Sequence, residues 1–337
     1  MTGGSGYIGS HTCIELIEAG HKVVVVDNLC NSSFESLERV KSITGEDIPY
    51  YKIDIRNKAE LTRVFDQHSV DGVMHFAGLK AVGESVEMPI EYYDNNVVGC
   101  ITLVEVMREF NCKTIVFSSS ATVYGNPHTT PIQEDFPISA TNPYGRSKLI
   151  IERFLQDVFT ADNSWRIAIL RYFNPVGAHK SGLIGEDPRG VPNNLMPYIS
   201  KVAAGKLEKL SVFGGDYNTP DGTGVRDYIH VMDLAKAHVK ALAVLVGEPQ
   251  VFTTNLGTGV GYSVFDMVRA FEKASGKKVP CQIVPRRPGD IASCYADVGY
   301  AVEKLDWKSE FKLDDMCQDT WRWQSQNPDG YNKTSLS

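Results

Sequence analysis

Several features are scarce or missing in this 337-residue chain. There is no basic excess: 34 Lys and Arg stand against 41 Asp and Glu, a formal net charge of −7. No electrostatic footprint invites nucleic acid or an acidic membrane surface. An anionic small molecule must therefore be met by locally placed arginines or lysines. The seven cysteines (13, 30, 100, 112, 281, 294, 317) are odd in number and form no CxxC pair. They read as reduced thiols of a cytoplasmic protein, not as a disulfide frame or a zinc site. The eight histidines include no HxxxH-type cluster, so no metal is expected. The aliphatic run at 23–26, VVVV, is far too short to span a membrane. The N-terminus shows neither a charged n-region nor an apolar h-region, so no signal peptide is expected. Repeats, low-complexity tracts and long charge blocks are missing, and only the tail NKTSLS looks loose.

What is present is the profile of a folded enzyme-sized chain, 42% hydrophobic and 22% charged. In the first half, short β-branched runs alternate with amphipathic stretches. The runs are KVVVVD (22–27), GVMHFAG (72–78), TIVFSSS (114–120) and RIAILRYFN (166–174). Between them lie SHTCIELIEAG (10–20), KAELTRVFDQH (58–68) and GCITLVEVMREF (99–110). This alternation predicts parallel βαβ units with right-handed crossovers. The runs end in Asp, Gly, Ser or Asn, at the strand edge where such sheets bind ligands. After residue 174, Gly and Pro become frequent and the alternation turns irregular. The fold class expected is α/β, a Rossmann-type doubly wound parallel sheet with a smaller, mixed α/β substrate-binding domain. Its first part spans 1–174 plus about 228–259. The second part spans about 175–227 plus 260–337.

TGGSGYIGSH (2–11) holds Gly3, Gly6 and Gly9 ahead of a helix. Glycines permit a tight turn and let backbone N–H groups approach a pyrophosphate at the helix N-terminus. Asp27 closes the next strand, where a carboxylate can accept from both ribose hydroxyls and would repel a 2′-phosphate. Loop, helix, strand and acid together point to NAD rather than NADP. Asp54 and Ile55 suit the adenine edge, while Lys80, Asn95 and Asn96 are offered to the same ligand. Taken singly, each has an ordinary turn or capping explanation. Only Met1 and Thr2 precede the loop, where a central strand belongs. The expectation is therefore a missing strand, a weakened sheet and a loosened loop.

NPYGRSK (142–148) offers Asn142 as a helix cap, Pro143 in the first turn, and Tyr144 and Lys148 on one face. A nearby ammonium lowers a phenol's pKa and makes it a usable base. Ser118, Ser119 and Ser120 end the preceding strand and can converge on the same point. A solvated Tyr–Lys pair and a capping serine run are the plain alternatives; the glycine loop favours chemistry.

These motifs, with FSSSATVYG, LRYFNPVGAH, GVPNNLMPYI, DGTGVRDYIHVMDLA and RRPGD, carry a resemblance that runs nearly end to end. The chain resembles the extended short-chain dehydrogenase/reductase superfamily and, within it, the UDP-glucose 4-epimerase family. The resemblance implies a resident NAD held by Gly3, Gly6, Tyr7, Ile8, Gly9, Asp27, Asn28, Leu29, Asn31 and Ser32. It adds Asp54, Ile55, Phe76, Ala77, Gly78, Lys80, Asn95, Ser118, Tyr144, Lys148 and Phe173 to that set. It makes Tyr144 the base, with Lys148 holding the nicotinamide ribose and depressing the phenol, helped by the cofactor's positive ring, and Ser120 bonding the reacting oxygen. The UDP-sugar would meet Asn174, Asn194, Leu195, Phe213, Arg226, Arg287, Asp290 and Cys294. Cys294 leaves more room than the tyrosine of some relatives, so N-acetylated sugars are expected to fit; a cysteine merely filling apolar space is the plain reading. A homodimer through helices near 90–110 and 147–160 is implied as well. Two other readings remain: a nucleotide-sugar 4,6-dehydratase, disfavoured because Ala121, Thr122 and Val123 bring no carboxylate after Ser120, and a non-catalytic NAD-sensing protein on the same fold.

Overall fold

The computed structural model describes residues 1–188, 192, 194–287 and 289–332; residues 333–337 of the tail lie outside these. The chain opens with α1 (Tyr7–Glu18), β1 (Val25–Val26), α2 (Glu35–Thr44), β2 (Tyr50–Tyr51), α3 (Lys58–Gln67) and β3 (Val73–His75). Two short helices, α4 (Val82–Glu87) and α5 (Pro89–Tyr92), lead through a π-helical turn at Tyr93–Val98 into α6 (Gly99–Glu109). Then come β4 (Thr114–Ser120), α7 (Pro143–Ala161), β5 (Arg166–Tyr172), β6 (Asn174–Val176), α8 (Leu195–Ala203), β7 (Leu210–Phe213) and β8 (Val225–His230). The remainder is α9 (Val231–Leu245), β9 (Gln250–Leu256), β10 (Gly261–Ser263), α10 (Val264–Ser275), β11 (Cys281–Val284), β12 (Ser293–Cys294), α11 (Gly299–Leu305) and α12 (Leu313–Gln326).

β3, β4, β5 and β9 run parallel in that order, and β1 pairs in parallel with β2. Thr2 joins the two pieces, bridging Val26 on one side and His75 on the other. The backbone of Met1–Gly3 completes the pairing: Thr2 N–H donates to Met74, Gly3 N–H to Val26, Val26 N–H to Met1 and Phe76 N–H to Thr2. The expectation of a lost central strand and a loose loop is corrected here. The backbone of three residues, Met1–Gly3, fills the central position and fastens the glycine loop from both sides. The sheet therefore reverses its winding at Thr2, the place where doubly wound folds bind their ligands.

Strand alternation divides the core between two faces. Val116 packs with α1, α2 and α9 on one face, while Ile115 and Phe117 pack with α3, α6 and α7 on the other. A second sheet holds β10, β8 and β12, with β6 also pairing to β8; β7 and β11 form a separate parallel pair. Met196, Ile199, Phe271 and Met316 from α8, α10 and α12 build the core of this region. The two parts interleave: α9 and β9 return to the parallel sheet after β8, and Ala301 and Leu305 of α11 pack with them.

Candidate active site

The C-terminal ends of the parallel strands open into a continuous cleft of about 940 Å³. Its first end is the glycine loop. Gly3 has a φ of +71°, and a methyl group there would lie 2.6 Å from the backbone nitrogen of Ala77. One at Gly9 would lie 2.3 Å from the Gly3 carbonyl. These contacts require glycine and bring the loop tight against α1. No side chain caps the α1 N-terminus, so its first N–H groups face the cleft and favour an anion. Ser5 Oγ lies there, buried and without a hydrogen-bond partner. Asp27 Oδ2 accepts from the Ser5 N–H at 3.1 Å, and Oδ1 accepts from the Leu29 N–H at 2.9 Å and Ser32 Oγ at 2.8 Å. Three donors already hold a carboxylate that can take about four, so its orientation is set before any ribose arrives.

The chemical end lies across the sheet. Asn142 caps α7 by accepting from the Gly145 N–H at 2.9 Å, and Pro143 occupies the first turn. Tyr144 and Lys148 consequently share the face turned toward β4. Lys148 Nζ donates to the Ser118 carbonyl at 2.6 Å and lies 4.9 Å from the Phe117 ring centre and 6.0 Å from that of Tyr144. Ser120 Oγ accepts from the Thr122 N–H at 3.2 Å and from Thr122 Oγ1 at 3.0 Å, which leaves its own proton to donate to the Tyr144 oxygen. Behind this face, Arg171 and Glu152 form a buried two-point ion pair at 2.7 and 3.0 Å, with side chains 4% and 1% exposed. Ser119 also donates to Glu152. This pins α7 to β4 and β5, so the helix carrying Tyr144 cannot slide along the strand carrying Ser120.

One electrostatic expectation is corrected. The phenol of Tyr144 is not depressed: burial raises its pKa above the ordinary value, and the hydrogen bond from Ser120 only partly opposes this. The Lys148 ammonium is spent on the Ser118 carbonyl, and burial pulls its own pKa down to about 8, against smaller opposing effects of Cys100 and Glu152. Desolvation therefore sets the sign of the phenol's shift. Activation of this phenol needs a further positive charge in the cleft.

Most of the expected residues line this one cleft: Gly3, Gly6, Tyr7, Ile8, Gly9, Asp27, Asn28, Asn31, Ser32, Asp54, Ile55, Phe76, Ala77, Gly78, Lys80 and Asn95. Ser118, Ser120, Tyr144, Lys148, Phe173, Asn174, Asn194, Arg287 and Asp290 do so too. Five do not. Leu29, with a φ of +59°, is outside the lining, and Leu195 packs against the second core. Arg226 and Cys294 sit opposite each other on β8 and β12, outside the lining, and Arg226 donates to the Val225 carbonyl at 2.8 Å. Phe213 lies under Arg287, whose guanidinium is 4.5 Å from the ring centre and whose Nε donates to Asp290 at 3.0 Å.

A family model described as GDP-mannose 4,6 dehydratase matches residues 1–320. A UDP-glucose 4-epimerase of Bacillus subtilis is 59% identical over 331 residues, covering 98% of each chain. Among solved structures, a UDP-glucose 4-epimerase of Bifidobacterium longum, in complex with NAD+ and UDP, superimposes with a TM-score of 0.95 at 56% identity, covering 98% of each chain. One from Stenotrophomonas maltophila, with bound NAD and formylated UDP-arabinopyranose, gives 0.95 at 51% identity, covering 97% of each chain. The chain belongs to the UDP-glucose 4-epimerase family.

Set against that family reading, some residues of the cleft carry no signal in the sequence. Tyr172 lines it and hydrogen-bonds His238 below the sheet. Glu186 pairs with Lys80 at 3.4 Å, and Tyr331 enters the wall from the far end of the chain. Asn96, expected together with Asn95, stands just behind the cleft lining and is 1% exposed. Its Oδ1 accepts from the Leu79 N–H and from Asn95, while its Nδ2 donates to the Leu79 carbonyl and Ser147. The π-turn supplies the room for that grip. No helix is long and apolar enough to cross a membrane among the described residues.

Proposed function

We propose that this chain interconverts UDP-galactose and UDP-glucose through a transient 4-keto sugar, with NAD resident in the cleft. The observation that carries the reading is the placement of Tyr144, Lys148 and Ser120 in one cleft with an uncapped, glycine-cradled helix N-terminus and the preset carboxylate of Asp27. The residues fit the cofactor: glycines that exclude any side chain, an unpartnered Ser5 hydroxyl, and an acid at the ribose position. NAD supplies a reversible hydride acceptor and a positive ring. Tyr144 takes the proton of the sugar 4-hydroxyl and returns it after the sugar has turned. Ser120, its acceptor side filled by Thr122, directs its proton toward the reacting oxygen. Lys148 holds the nicotinamide ribose. Arg287 and Arg226 meet the diphosphate, Asp290 the uridine ribose, and Phe213 the uracil. Asn174 and Asn194 border the sugar side; Leu195 and Cys294 stand behind the lining, and the room a cysteine leaves at 294 extends the reading to UDP-GlcNAc and UDP-GalNAc.

The two-part division, 1–174 plus about 228–259 for NAD and the remainder for the UDP-sugar, belongs to this reading. So does a homodimer. Ile90, Val98, Ile101 and Ile150 are exposed apolar side chains on the neighbouring α5–α7 region, which supports pairing with a second copy there. The cysteines of the chain are unpaired, which supports a reducing, cytoplasmic setting. The name of the family model favours one alternative, a 4,6-dehydratase.

One assay tests these readings: UDP-galactose and, separately, UDP-GlcNAc are incubated with the enzyme, and the hydrolysed sugars are identified. The expected products are glucose from the first and N-acetylgalactosamine from the second, and Tyr144→Phe lowers kcat by roughly 10²- to 10⁴-fold. A 6-deoxy-4-keto sugar would establish the dehydratase instead. Full activity in Tyr144→Phe would remove the proposed base.

A further inference from the structure

We infer that residues 327–331, following α12, form a clamp that shuts the 182–188 loop over the cofactor half of the cleft and sets the rate at which NAD leaves. The inference rests on the reading that NAD occupies that half. Gly185, Glu186, Asp187 and Pro188 line the cleft. Glu186 reaches across to Lys80 at 3.4 Å and accepts from Asn194 at 2.9 Å. Burial pushes the pKa of the Tyr7 phenol in the glycine loop upward, and Glu186 lies close enough to add to that rise. The loop therefore covers the glycine-loop end.

The C-terminal segment grips this loop from outside. Asn327 Nδ2 donates to the Gly182 carbonyl at 2.8 Å, and Trp323 Nε1 donates to the Glu186 carbonyl at 3.3 Å. The Tyr331 hydroxyl donates to the Gly185 carbonyl and accepts from the Gly185 N–H, both at 3.2 Å. The Tyr331 N–H donates to Asp187 at 2.9 Å. The packing is tight: a methyl group at Gly185 would lie 2.3 Å from the Trp323 indole, and one at Gly330 would lie 2.2 Å from the Asp187 carboxylate.

Arg39 of α2 pins the assembly. Its guanidinium is 5.6 Å from the Trp323 ring centre and 5.1 Å from that of Tyr331. Nη1 donates to the Leu183 carbonyl at 2.9 Å and to Asn327 Oδ1 at 2.5 Å. Helix α2 follows the Asn28–Ser33 segment that lines the same end of the cleft. Three distant parts of the chain thus close on one loop. A dinucleotide beneath it leaves only after these bonds break together.

The test uses the full chain purified with its NAD. After gel filtration, nicotinamide is released by denaturation and quantified, and exchange is then followed with excess etheno-NAD. Wild type is expected to retain NAD. Tyr331→Ala and Arg39→Met are expected to exchange roughly 10- to 100-fold faster, as the loss of one or two net hydrogen bonds and a ring contact implies. Tyr331→Phe, which keeps the ring and loses only the two bonds to Gly185, falls between. Arg39 lies outside the cleft lining, so Arg39→Met keeps its turnover at saturating NAD. Exchange at the wild-type rate in folded Tyr331→Phe and Arg39→Met, judged by thermal melts, overturns the clamp. Wild type without any NAD overturns the cofactor reading itself, a result distinct from a clamp failure.

Discussion

The two ends of the cleft are built differently. Along the dinucleotide side, from the glycine loop to the face of α7, polar side chains are buried and already bonded to the protein: Asp27 to three donors, Asn96 to Leu79, Asn95 and Ser147, Lys148 to Ser118. At the sugar end, Arg287 is 57% exposed, resting on Phe213 and Asp290, and Arg226 and Cys294 stand back from the lining. The first end is preorganised, while the second must exchange its internal partners for those of a ligand. Preorganisation favours tight holding, and a site that has to reorganise binds more weakly and turns over. That matches a cofactor that stays and a substrate that leaves.

The contrast can be broken most forcibly at Asp27. Asp27→Ala leaves the Ser5 and Leu29 N–H groups and the Ser32 hydroxyl without their acceptor, at about 1–3 kcal/mol for each donor that stays buried. The expected outcome is a protein purified without nicotinamide and with a lowered melting temperature. Cofactor content unchanged from wild type would mean that this end is not held as described. A smaller effect is expected at the other end. Arg287→Ala raises KM for UDP-galactose by roughly 10- to 100-fold through the loss of charge-assisted bonds. Its kcat and NAD content stay near wild type in steady-state kinetics and nicotinamide assays; loss of NAD instead would couple the two ends.

The smallest effect is a titration. Lys148 has a folded-state pKa of about 8 against an ordinary 10.5, so the unfolded chain binds more protons between these values. The lysine therefore opposes folding below about pH 8, and that cost is relieved as the pH rises toward the ordinary lysine value. Activity moves the other way, because the ammonium that bonds Ser118 is the useful form. We expect kcat/KM to fall to half near pH 8 on the alkaline side. A profile flat to pH 10 would remove Lys148 from the reacting end.

Much of the dinucleotide end was legible because its signals are local. Asn142, Pro143, Tyr144 and Lys148 fall within two helical turns, and Asp27 ends the strand that follows the glycine loop. Glu186 and Tyr331 were not legible: their contacts cross long stretches of chain, and no spacing rule connects a C-terminal tyrosine to Gly185. The central strand was misread because counting residues ahead of the loop says nothing of how few suffice to pair on both edges. The Tyr144 pKa was misread for a different reason. Sequence places a charge beside a phenol, but burial decides the sign of the shift, and burial is a property of the whole fold.

The wide turn at Tyr93–Val98 fixes the length of the chain around it. Each helical residue advances the spiral by about 100°. Regularising this turn into α-helix with every residue kept would rotate everything downstream by that angle, carrying Leu103, Val106 and Met107 of α6, all fully buried, toward solvent. Keeping α6 in place instead would drag Asn96 off Leu79. Two distant packing demands thus meet at a single surplus residue, and only with it are both satisfied.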